Sequence, residues 1–155
     1  MPPLRYEVVH RLKRDFPDLT LVLNGGITGT PQIDAGLAEV DGVMLGREAY
    51  HHPWLMADWD ERYFGVSSPG LDRDEVELRM ADYMQRLVES GEPWWHAARH
   101  MLGLRNGLPG ARRWRQVWSD HRLKHESPHS VLQRARQGAV ESGTPEFGAL
   151  AVSPG

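Results

Sequence analysis

Two short segments, Leu21-Val-Leu-Asn-Gly-Gly26 and Gly42-Val-Met-Leu-Gly-Arg47, constrain this chain most. Each is an apolar run of strand length that stops at glycine and is followed by a helix-like stretch. The stretch between them is short and opens with Thr30-Pro31, a helix start with Thr as the N-cap and Pro in the first turn. Strand, helix, strand at this spacing is a βαβ unit, so the two strands should run parallel. In parallel β/α folds ligands gather where strands end. Glycine lets the backbone approach an anion there, and the next helix offers free N–H groups at its positive end. Asn24, Gly25, Gly26, Gly46 and Arg47 are therefore the candidate phosphate-binding residues. For a single strand–glycine turn, a plain chain reversal would be the better reading. Two matched turns in succession favour a ligand.

The flanking elements follow from the same periodicities. Leu4 to Asp15 carries Val8, Val9 and Leu12 at helical spacing, and Pro17 ends that helix. Leu19 to Leu23 and Gly42 to Leu45 are the strands. Ile33, Leu37 and Ala38 are the expected buried face of the helix between them. Glu48 to Tyr63 is rich in aromatics and should pack rather than catalyse. Residues 65–71, around Gly65-Val-Ser-Ser-Pro-Gly70, read as a linker. Beyond them no strand signal is found. Asp72 to Ser90, with Val76, Met80, Tyr83, Met84 and Leu87, Pro93 to Leu104, Pro109 to Asp120 and Pro128 to Val140 read as helices. Residues 143–155 read as a disordered tail. The chain is thus α/β over residues 1–64 and all-α over residues 72–142.

Composition excludes several functions. At 155 residues the chain is too short for a whole (β/α)8 barrel, which takes roughly 250. Two parallel strands also cannot close a sheet, so the first part is expected either to borrow strands from another chain or to be the end of a larger β/α domain. There is no cysteine, hence no disulfide, thiolate metal site or cysteine catalysis within these residues. No apolar run reaches membrane-span length, and Met1-Pro-Pro-Leu-Arg lacks the apolar core of a secretory signal, so a cytoplasmic setting is expected. No metal site is expected, because His51-His52 has no ligand-spaced companions. Trp94-Trp95 suit a packed core better than base stacking.

Charge is unevenly placed. From His96 to Lys124 there are seven cations (Arg99, Arg105, Arg112, Arg113, Arg115, Arg122 and Lys124) against one acid, Asp120. That segment carries +6, and with a net charge of −3 the rest of the chain carries −9. A basic segment on an acidic body suits a locally docked polyanion. Its bias to arginine favours bidentate phosphate contact. In Pro109-Gly-Ala-Arg-Arg-Trp-Arg115, Arg112 and Arg115 share a helix face, so the helix can bury Trp114, Val117 and Trp118 while showing guanidinium groups to a phosphate backbone.

Three stretches together resemble one family. Asn24-Gly-Gly-Ile27, then Val40-Asp-Gly-Val-Met-Leu-Gly-Arg-Glu-Ala-Tyr50 with Pro53, and later His100-Met-Leu-Gly-Leu104 with Pro109 to Arg115 are closely similar to bacterial tRNA-dihydrouridine synthases of the A-type subgroup, which modifies the tRNA D-loop. The resemblance runs from about Pro2 to about Gln137. It implies the C-terminal portion of an FMN-bound TIM (β/α)8 barrel followed by a helical tRNA-binding domain. The implied reaction is reduction of uridine in tRNA, with NADPH reloading the flavin. It further implies that Asn24, Gly25, Gly26, Gly46 and Arg47 contact the flavin, chiefly its phosphate end, and that Arg112 and Arg115 touch tRNA. Arg99, Arg105 and Arg113 join them as basic-segment candidates. The family's proton-donating cysteine and its upstream flavin-holding lysine and histidine have no counterpart here, so no catalytic residue is assigned. The full-length enzyme is expected to be a monomer, and this chain alone to be inactive. Two other readings are a non-catalytic RNA-binding helical module and a different FMN or sugar-phosphate barrel with a helical tail.

Overall fold

The computed structural model describes residues 3–67 and 70–141. The chain divides into two compact units, residues 1–71 and 72–155. The expected disordered tail at 143–155 lies outside the described residues. The architecture is α/β and mostly helical, with one small parallel sheet.

In the first unit α1 spans Tyr6–Asp15, β1 Val22–Asn24, α2 Thr30–Leu37, β2 Gly42–Met44, α3 Arg47–His51 and α4 Trp59–Phe64, with a 3-10 turn at Pro53–Met56. The strands pair in parallel, with Val22, Leu23 and Asn24 opposite Gly42, Val43 and Met44. The βαβ expectation therefore holds, with strands shorter than the apolar runs that signal them. Asp41 binds the start of the pair together. Its carboxylate accepts from the Leu21 N–H at 2.8 Å and from Lys13 Nζ at 2.9 Å, and Lys13 also donates to the carbonyls of Pro17 and Leu19. The Leu21 N–H and the Lys13 ammonium hold the Asp41 carboxyl below its ordinary range.

Two details of α2 differ from expectation. Thr30 is the first helical residue rather than the cap. Extended Gly29 occupies the cap, and Gln32 reaches back to accept from the Thr28 N–H at 2.7 Å, taking over the capping role. Leu37 and Ala38 are exposed, while Ile33, Gly36 and Val40 are buried. The reason is close approach to β2: a β-carbon on Gly36 would lie 2.6 Å from Val43 Cγ1, so the helix rests on its glycine. Leu23, Ile27, Ile33 and Val40 form the core, with Trp59 and Tyr63 of α4 packed against it. Asp34 accepts from Arg62 and Tyr63, which fastens α2 to α4. Large apolar side chains stay exposed around this small core, among them Val22 and Met44 on the strands and Phe64 at 74%.

In the second unit α5 spans Arg73–Glu89, α6 Trp95–Ala98, α7 Ala111–Trp118 and α8 Pro128–Glu141, with a 3-10 turn at His121–Leu123. Asp72 caps α5, accepting from the Asp74 N–H at 3.0 Å. The buried face of α5 is Glu77, Ala81 and Met84; Tyr83, expected inside, is exposed. α8 packs against both α5 and α7 and buries Val131, Leu132 and Ala135. Trp94, Trp118 and Trp114 interlock edge to face, with centroid separations of 5.8 and 6.1 Å.

The helix expected over Pro93–Leu104 is confined to Trp95–Ala98; from Arg99 to Gly110 the chain runs in turns. Ala98, Met101 and Leu104 are buried at intervals of three, which mimics a helix face. Their backbone bonds also run i to i+3, Met101 N–H to Ala98 and Leu104 N–H to Met101. Gly107 and Gly110, at φ +83° and +74°, prevent any continuation as an α-helix.

Candidate functional site

In the first unit the turns after β1 and β2 open onto a single cleft of about 450 Å3. Asn24, Gly25, Gly26, Gly46 and Arg47 all line it, as do Glu48 and His51. Gly25 and Gly26 sit at φ +130° and +64°, which side-chain-bearing residues rarely adopt. A β-carbon on Gly26 would also lie 2.6 Å from Leu4 Cδ1 and 3.1 Å from the Tyr6 hydroxyl. That hydroxyl donates to the Gly25 carbonyl and fixes the peptide between the two glycines. The N-terminal segment thus clamps the turn from behind. On the other side Arg47 opens α3, whose first N–H groups have no partner within the helix. With five residues α3 has little dipole, so the backbone N–H groups and the Arg47 guanidinium supply the positive field. The one carboxylate on the cleft, Glu48, accepts from His52 Nδ1 at 2.6 Å.

In the second unit α7 divides its surface as its spacing requires. Trp114 is 0% exposed, and Val117 and Trp118 are buried beside it. Arg112 and Arg113 are exposed, and Arg115 is half-buried. Arg115 donates through Nη1 to the Asn106 side-chain oxygen, so the loop before α7 holds that guanidinium in place. Arg99 stands at the end of α6, its Nε 3.1 Å from His100 Nε2. Lys124 lies over the Trp95 ring at 4.8 Å, while Trp94 is buried and donates its indole N–H to the Lys124 carbonyl at 3.2 Å.

Arg105 stands apart from the other cations. Its side chain is 15% exposed and grips the fully buried Glu77 through Nε and Nη2, the latter at 3.0 Å, while Nη2 also reaches Asp74. Arg136 of α8 completes the cluster, its Nε donating to Glu77 at 3.0 Å. The Glu77 carboxylate beside it raises the Arg105 pKa further above its ordinary value. The cluster ties α5, the loop before α7 and α8 to one buried charge.

The sequence matches the family described as dihydrouridine synthase (Dus) over residues 1–141. The chain belongs to the dihydrouridine synthase family. It is 47% identical over 135 residues to the tRNA-dihydrouridine(20/20a) synthase of Pseudomonas putida, covering 87% of this chain and 40% of that protein. The Pseudomonas aeruginosa and Escherichia coli K12 proteins of the same name are 48% and 44% identical over the same length. The chain spans about 40% of the length of these relatives.

Within this chain the five expected phosphate residues share one cleft, and Arg112, Arg113 and Arg115 share α7. Glu77 and Asn106 were not among the expected site residues. Glu77 carried a signal, because it continues the Ala81–Met84 stripe of α5; Asn106 carried none, since its partner Arg115 is nine residues away across a loop. Among the described residues no group of three or more His, Asp or Glu side chains is placed to hold a metal ion, and no helix is long and apolar enough to cross a membrane.

Proposed function

We propose that this chain carries two binding surfaces of an FMN-dependent tRNA-dihydrouridine synthase: the phosphate end of the flavin site and a tRNA platform. The single observation that carries the reading is the convergence of both strand–glycine turns on one cleft in a chain of this family. The residues fit a phosphate. Two backbone turns, one of them restricted to glycine by its φ values, meet beside the Asn24 amide and the Arg47 guanidinium. Asn24, Gly25, Gly26, Gly46 and Arg47 would hold the FMN phosphate there. They correspond in this reading to the last two β/α turns of a TIM barrel, which agrees with the apolar side chains left exposed around the two strands. When bound, FMN supplies the hydride that reduces the C5–C6 bond of uridine, with NADPH as its reductant.

The platform is the exposed arc of α7. Arg112, Arg113 and Arg115 meet tRNA phosphates, with Arg99 close in sequence on the same basic segment. Arg105 contributes indirectly, by fixing the loop whose Asn106 orients Arg115. The target base must leave the tRNA stack to reach a flavin, so firm backbone contacts away from it help offset the unstacking cost. The setting is the cytoplasm, and the full-length enzyme acts as a monomer on tRNA. With no cysteine to protonate the reduced uridine, the 155-residue chain binds without catalysing.

The test is to incubate the purified chain with FMN, NADPH and an unmodified tRNA transcript. Retention of tRNA without dihydrouridine is expected. Product formation would overturn the assignment of catalysis to residues outside this chain, and failure to retain tRNA would overturn the platform. A second reading, a purely RNA-binding helical module, draws on the missing cysteine. It is favoured if tRNA is retained with no difference between FMN and riboflavin binding.

A further inference from the structure

α7 shows more to solvent than the Arg112–Arg115 face. At 100° per residue its exposed arc runs Arg115, Arg112, Gln116, Arg113, opposite the buried Trp114–Val117–Trp118 stripe. On the Arg113 side this arc falls into a groove of about 630 Å3 floored by Val117 and Leu123 and shared with α8. Its polar lining is Arg113, Gln116, Asp120, Arg122, Arg134 and Gln137.

The charges of the groove are unequal in availability. Among the described residues Asp120 is its one carboxylate, and it is neutralised by Arg122, which grips it through Nη2 at 2.7 Å and Nε at 3.0 Å. Arg134 pairs with Glu126, its Nη2 2.8 Å from the carboxylate, and its side chain stays 57% exposed. Arg113 has no ion-pair partner among the described residues. Arg113 is therefore the uncommitted positive charge on α7, and Arg134 on α8 adds a second that sits in a half-exposed pair a phosphate can compete for. Gln116 and Gln137 each add a donor and an acceptor, which suit a ribose hydroxyl or a base edge. Arginine for phosphate, amide for the 2′-OH and an apolar floor are the chemistry of a single RNA strand.

We propose that this groove is a second RNA subsite, which binds a phosphodiester and its ribose through Arg113 and Arg134 of α7 and α8. The subsite rests on the platform reading and extends it around α7, so that tRNA covers both sides of the helix. The site selects a strand rather than a free anion, because its positive groups lie on separate helices, each followed by a glutamine three residues on.

Two measurements on the full chain test it. The first is the salt dependence of affinity for an unmodified tRNA transcript. Since log K falls by about 0.9 per log salt for each phosphate neutralised, Arg134→Gln, which leaves the platform's Arg113 in place, should lower the slope by about 1 and weaken binding about eightfold at 0.1 M salt. The second exploits the absence of cysteine: Gln137→Cys introduces a unique thiol on the groove. Its alkylation by N-ethylmaleimide should slow at least fivefold when tRNA is added, and should be unaffected by inorganic phosphate or UMP at millimolar concentration. Protection by phosphate or UMP alone would mark a small-anion site and overturn the proposal. If Arg112→Ala with Arg115→Ala abolishes binding while Arg134→Gln leaves binding unchanged and the alkylation rate does not change, the subsite fails and the platform stands. If the unaltered chain retains no tRNA, both fall.

Discussion

Replacing Arg105 by Ala should be the most damaging single change to the helical unit. Arg105 supplies two of the three side-chain hydrogen bonds made to Glu77, whose side chain is 0% exposed. The third bond, from Arg136 Nε at 3.0 Å, survives the change. Breaking a buried ion pair by removing one partner costs about 3–5 kcal/mol, because a charge is left uncompensated. The remaining Arg136 bond reduces that to about 2–3 kcal/mol. The Asp74 contact adds little, since that carboxylate is largely exposed. For a unit of this size, 1 kcal/mol moves the midpoint by about 4–8 °C, so Arg105→Ala should lower it by roughly 10 °C or more. Thermal and urea unfolding followed by tryptophan fluorescence at pH 7 reads this through Trp94, Trp114 and Trp118. The double variant Glu77→Met with Arg105→Met should recover most of the loss, because the buried carboxylate is gone and Arg136, 35% exposed, can be solvated. A loss below about 0.5 kcal/mol in the single variant, or a double variant worse than the single, would refute the role given to the buried charge.

Three further outcomes are expected. Gly26→Ala places a side chain at φ +64° and a β-carbon 2.6 Å from Leu4, which should destabilise the first unit by about 1–2 kcal/mol; faster hydrogen exchange at Leu23 and Ile27 checks it. Asn106→Ala releases Arg115, so it should weaken tRNA binding in the unaltered chain and have no effect once Arg115 is Ala, a non-additivity that a filter-binding cycle measures. Asp120 has its carboxyl lowered to about 2, first by the Arg122 side chain and then by the Arg122 N–H. A depressed folded pKa contributes stability above the ordinary carboxylate value and loses it as the proton returns. The advantage of the unaltered chain over Asp120→Asn should therefore be present at pH 7 and vanish between about pH 4 and pH 2 in an acid unfolding series.

Much of the first unit was readable because its signals are local. An apolar run that ends in glycine states both where a strand stops and where a backbone can bend, and a helix in the crossover between two such runs makes them parallel. The misreadings arose where a spacing has two physical causes. Ala98, Met101 and Leu104 at intervals of three are buried by successive turns, not by a helix. Leu37 is the more apolar residue, yet Gly36 faces the sheet, because the helix needs closeness there rather than bulk. In α7 the pattern and the outcome agree, since Trp114, Val117 and Trp118 are too large to bury anywhere else. The basic segment was only half legible. A charge count treats Arg105 and Arg112 alike, and only the fold shows that one is committed to Glu77 while the other faces solvent. Glu77 belongs to the acids from Asp72 to Glu77, which read as favourable charge at the start of a helix, although its register with Ala81 and Met84 places it inside.

The tRNA platform is the central claim, and the salt dependence of tRNA affinity tests it most directly. The chain and its Arg112→Ala, Arg115→Ala double variant are titrated against one unmodified tRNA transcript between 50 and 200 mM salt. The account predicts steep salt dependence for the chain, a slope smaller by about 2 for the variant, and unchanged unfolding midpoints for both. Equal affinity and equal slope for the two proteins would contradict it.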